Sequence, residues 1–105
     1  MCDYKILHYS EHGYAVKCLK CNCLKVGFSS NAITFTNQQF YDFKDIIDRS
    51  YNRHKKAICR DQKQFEIGTP AQSVKLVYSL NELERLAELL SEAELTLEIE
   101  KLLAE

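Results

Sequence analysis

Three cysteines fall within six residues, Cys18, Cys21 and Cys23, in the stretch CLKCNCLKV. Two more, Cys2 and Cys59, stand apart. Clustered thiols have three uses: they hold a metal as thiolates, exchange electrons as a dithiol, or pack as small apolar side chains. Cys18-Leu19-Lys20-Cys21 has the two-residue gap of a zinc knuckle, a tight turn offering two thiolates to one ion, with each Zn–S bond about 2.3 Å. Asn22 follows. Next to Gly, Asn takes the left-handed conformation of such a turn most readily.

A single C-x-x-C is half a site. Cys2, His8, His12, Cys23, His54 and Cys59 are the residues able to complete it. If the first two strands form a hairpin, Cys18 lies beside the start of the first strand, next to Cys2. His8 and His12 lie at the opposite end, roughly 15 Å away at strand rise. The metal reading therefore takes Cys2, Cys18 and Cys21 as ligands, with Cys23, Cys59 and His54 as candidates for the fourth. The redox reading uses Cys18 and Cys21. It lacks the helix N-terminus that lowers a thiol pKa in thioredoxin-like motifs, because this C-x-x-C joins two strands. The packing reading keeps Cys18 in step with Val16 as a core residue.

The elements that position these thiols follow from periodicity. Residues 4–9, 14–19, 24–28 and 32–36 read as strands, with Glu11-His12-Gly13 as the first turn, since Gly13 allows a positive φ. Thr36 and Gln39 form a capping-box pair opening a helix over 37–55, with Phe40, Phe43, Ile47 and Tyr51 on one face. Residues 64–68 and 74–78 read as a further hairpin, with 57–59 as one more possible strand. Ser79 with Glu82, and Ser91 with Glu94, are two more such pairs, and predict helices over 80–91 and 92–103. The expected fold is α+β: an antiparallel β-meander of a five- to seven-stranded sheet with one covering helix, a further β-hairpin and a C-terminal helical segment. The 105 residues form a single domain in this reading.

Charge is unevenly distributed. Residues 42–63 carry seven Lys or Arg against four Asp, and residues 82–105 carry eight Glu against Arg85 and Lys101. Two solvated helix faces account for this, and so does an arrangement in which the two segments meet. The basic run RHKKAICRDQK contains an Asp and reads as a helix end, so no nucleic-acid partner is expected. No phosphate loop, nucleophile elbow or H-E-x-x-H is present. No catalytic or cofactor-binding residue is assigned, and zinc is the one cofactor in question. No apolar run reaches the roughly 20 residues of a membrane span. No secretory segment is apparent at the start, and five cysteines, an odd number, argue against a disulfide framework. A cytoplasmic protein without membrane contact is expected.

Several stretches also carry a resemblance. Met1-Cys2, His12-Gly13-Tyr14, the C-x-x-C, Val26-Gly27-Phe28, Ala32-Ile33-Thr34-Phe35 with Phe40 and Phe43, and Gly68-Thr69-Pro70-Ala71-Gln72 are among them. Leu80-Asn81-Glu82-Leu83 and Leu89-Leu90-Ser91-Glu92-Ala93 complete the set. The chain resembles a group of small single-domain Bacteroidota proteins with no assigned function. The resemblance implies that Cys2, Cys18 and Cys21 match a recurring cysteine pattern. It implies no activity. The expected role is a small non-catalytic module that binds itself or another protein. Leu95, Leu97, Ile99, Leu102 and Leu103 motivate this, being more apolar surface than one stripe against a sheet uses.

Overall fold

The computed structural model describes residues 3–56, 60–63, 65–70 and 73–104. Strands β1 (Tyr4–Ser10), β2 (Gly13–Cys18), β3 (Leu24–Phe28) and β4 (Asn31–Phe35) form an antiparallel sheet in the order β1-β2-β3-β4. Helix α1 (Asn37–His54) follows, then β5 (Phe65–Gly68) and β6 (Lys75–Tyr78), and finally α2 (Leu80–Ala104). The fold is α+β, as the change of period from two to 3.6 predicts. Among the described residues the two sets of strands stay apart, and β5 and β6 pair with each other in a two-stranded sheet in place of the expected single five- to seven-stranded one. The possible strand at 57–59 lies outside the described residues.

Both helix starts obey local chemistry. Thr36 Oγ1 accepts from the Gln39 amide at 3.2 Å, and Gln39 Oε1 accepts from the Thr36 amide at 2.9 Å. Ser79 and Glu82 repeat the exchange at 3.2 and 3.0 Å. The third pair behaves differently. Ser91 and Glu94 lie inside one continuous helix, so the predicted break between 80–91 and 92–103 is absent. Ala93 and Leu97 are buried in step with Leu83, Leu86 and Leu90, and this uninterrupted apolar stripe outweighs the cap signal.

The sheet buries Ala15, Leu24, Val26, Phe28 and Phe35 on its inner face. Two helices share that face, where the sequence predicts one. The Phe43 ring of α1 lies 4.9 Å from that of Phe35, on the β4 side. On the β1 side α2 takes over: Thr96 Oγ1 donates to the Leu7 carbonyl at 3.0 Å, and Lys5 Nζ reaches Glu100 at 2.6 Å. Leu7 sits where the β1–β2 register shifts between Ile6 and His8, so the helix ties down an irregular edge. The second hairpin docks through Tyr78, whose ring meets Phe28 edge-on at 5.5 Å. Burial, with Glu82 nearby, pushes the Tyr78 hydroxyl pKa up to about 12.

The basic and acidic segments do meet. Arg60 reaches Glu84 at 2.6 Å, Lys63 reaches Glu82 at 3.1 Å, and Lys44 lies 4.0 Å from Glu94. No described helix is long and apolar enough to cross a membrane.

Candidate functional site

Cys18 ends β2 and is buried, with 1% of its surface exposed. Cys21 is exposed in the turn, and Cys23 is half-buried just before β3. Backbone bonds close this turn: the Asn22 amide donates to the Cys18 carbonyl and the Cys18 amide to the Cys23 carbonyl, both at 2.9 Å. Asn22 has φ 62°, the left-handed conformation expected of it. A third bond, from the Leu19 amide to the Asp3 carbonyl at 2.7 Å, fastens the start of the chain to the same turn. In the β1–β2 register Tyr4 faces Cys18.

The thiols interact. The Cys23 thiol is hydrogen-bonded with that of Cys21, which together with burial raises its pKa, and charge on Cys21 or Cys18 raises it further. Cys23 therefore joins the turn. Its phase along β3, out of step with Leu24, Val26 and Phe28, hides this in the sequence, because the residue precedes the strand and obeys the loop instead. Lys17, Lys20 and Lys25 bracket the turn, and Lys25 Nζ also lies 5.9 Å from the centre of the Tyr4 ring.

The other candidate ligands fall as follows. Cys2 and Cys59 lie outside the described residues. His54 is not brought to the cluster. Helix α1 starts beside the turn, since Phe35 pairs with Leu24, and its 18 residues carry His54 roughly 25 Å along the axis. There His54 Nδ1 donates to the Ser50 carbonyl at 2.9 Å, and its ring lies 4.6 Å from that of Phe65. Among the described residues, no group of three or more His, Cys, Asp or Glu is arranged to hold a metal ion.

His8 and His12 converge at the far end of the first hairpin, lining a cleft of about 290 Å³ with Arg85, Glu88 and Glu92 of α2. His12 lies 3.4 Å from Glu11. The sequence treats these histidines as unrelated, and only the packing of α2 against the hairpin brings both to one cleft.

An exposed apolar stripe runs along α2. Leu95, Ile99, Leu102 and Leu103 are 55%, 48%, 71% and 81% exposed. At 100° per residue they project from the side of the helix opposite Leu86, Leu90, Ala93 and Leu97. Earlier on that same outer side stand Glu84, Glu88 and Glu92, so the outer side changes from acidic to apolar along the helix. Tyr4 and Ile6 of β1, 49% and 63% exposed, alternate with Lys5 and Leu7 and so stand on the face of the sheet away from α2.

A family model described as Family of unknown function (DUF6686) matches residues 1–104. No curated protein and no solved structure matches the chain.

Proposed function

The chain belongs to the DUF6686 family, and from the apolar surface its fold leaves uncovered we propose that it is a small non-catalytic module that self-associates. The observation that carries this is the outward stripe Leu95, Ile99, Leu102 and Leu103. Scattered apolar residues on a surface are ordinary. A stripe at helical spacing, opposite a second stripe that already fills the core, is a surface suited to another chain. A second copy is the occupant proposed. A dimer of standard size buries about 800 Å² per partner, so the stripe is the centre of an interface completed by the residues that flank it on α2. A two-fold arrangement sets each stripe against its counterpart, the usual form of a homodimer. The odd number of cysteines suits a reducing compartment, the cytoplasm.

Sedimentation velocity tests the reading. The wild type is expected to sediment as a dimer at tens of micromolar, and Ile99→Glu combined with Leu102→Glu as a monomer with unchanged helical circular dichroism. A wild type that stays monomeric at that concentration overturns it.

A further inference from the structure

We propose that Cys21 and Cys23 are a reversible thiol–disulfide exchange site whose co-reactant is the disulfide of a small thiol. The sequence offers Cys18 and Cys21 as the redox pair, and the fold puts Cys23 in the place of Cys18. Cys18 is 1% exposed at the end of β2, out of reach of a disulfide in solution. Cys21 is exposed and Cys23 half-buried, with one residue between them. That residue sets the spacing of the two sulfurs. Two residues of fully extended chain span about 7 Å, the limit beyond which two cysteine Cα atoms cannot be bridged. Asn22 at φ 62° bends the chain instead, and the Asn22–Cys18 and Cys18–Cys23 backbone hydrogen bonds hold the bend. The turn therefore brings Cys21 and Cys23 within reach before any bond joins them, and their thiols are already in contact.

Exposure divides the roles. Cys21 is the sulfur that an incoming disulfide, RSSR, meets. As the thiolate it attacks one sulfur of RSSR: a bond from Cys21 to SR forms, the RSSR bond breaks, and RS⁻ leaves. Cys23 holds its proton at rest, because its hydrogen bond with Cys21 and its burial push the thiol up. It gives up that proton as its sulfur attacks Cys21, the intramolecular disulfide forms, and a second RS⁻ leaves. The two cysteine protons end on the two departing thiols. The dithiol is oxidised by two electrons and RSSR is reduced to two RSH, so the exchange balances. In a reducing compartment the reverse steps restore the dithiol.

The test uses the full chain. It is incubated with oxidised glutathione, quenched with acid, blocked with an alkylating agent and cut after lysine. Lys17, Lys20 and Lys25 put Cys18 on one fragment and Cys21 with Cys23 on another, CNCLK. Mass spectrometry should find CNCLK unalkylated and lighter than the dithiol by a pair of hydrogens, and excess reduced glutathione should return it to the dithiol. Cys23→Ser lacks the second sulfur and should accumulate glutathione on Cys21. Cys21→Ser should take up no glutathione at Cys23 over the same time. A CNCLK fragment that stays a dithiol in oxidised glutathione overturns the proposal. So does a disulfide joining the Cys18 and Cys21 fragments in place of the one within CNCLK. So does stoichiometric zinc in protein purified without chelator, lost in Cys23→Ser, which assigns the thiols to a metal. Ile99→Glu/Leu102→Glu should close the same disulfide, so this proposal and the dimer fail independently.

Discussion

Asn22 and Gly13 both stand at the edge of a turn, and each is chosen for a different reason. Asn22 is required for its backbone: at φ 62° an L side chain costs roughly 1–2 kcal/mol, which Asn lessens through local hydrogen bonding. Gly13 is required for space. The turn at Glu11 and His12 forms as expected, but Gly13 does not use the positive φ open to it. A Cβ there would meet the Gly27 carbonyl oxygen at 2.2 Å and a Leu89 methyl at 3.0 Å. Close approach of β3 and α2, invisible in the sequence, is the reason for the glycine. Tyr14 lies over Gly27 in the same way, 2.2 Å from where a Cβ would stand. At this scale Asn22→Val should destabilise the protein by about 1–2 kcal/mol in urea unfolding, while Asn22→Gly should match the wild type within about 0.5 kcal/mol.

At the scale of elements, capping chemistry was legible because it is local. Each box needs only two side chains three residues apart. The same rule misread Ser91 and Glu94, because a capping pair is silent when burial carries the helix through it. Glu82 gives the α2 cap a pH dependence. Burial alone would raise its carboxyl pKa, but the Ser79 amide and Lys63 outweigh that and leave it below the ordinary value. A carboxylate with a lowered folded pKa stabilises above its unfolded pKa, near 4.3, and the gain is lost as pH falls through the folded value. Glu82→Gln keeps the box but loses the charge. It should therefore cost up to about 1 kcal/mol at pH 7, since Lys63 is well exposed, and progressively less as pH falls below the unfolded pKa, as read from urea midpoints across that range.

For the whole molecule, α2 is the element on which the rest depends. It covers β1, receives Arg60 and Lys63 from the segment between α1 and β5, and leaves a second stripe outside. The two stripes predict opposite behaviour on truncation. Leu90 is fully buried, so Leu90→Ala should cost about 3 kcal/mol in chemical unfolding. Leu102→Ala should leave the stability of the isolated chain within about 0.5 kcal/mol, as for other exposed positions, yet weaken self-association in sedimentation. A core role for both would make the two losses similar.

The sequence by itself determined which segments are strands and which are helices, where α1 and α2 begin, and that a tight turn carries Cys18 and Cys21. These are properties of neighbouring residues, set by side-chain period, capping pairs and the left-handed tolerance of Asn. Tertiary structure alone decided that two helices share the inner face, that the described strands divide into two sheets, that His54 lies away from the turn, and which stripe of α2 stays outside. Each of those outcomes depends on residues far apart in the chain competing to bury the same apolar surface, and no local pattern records which of them wins.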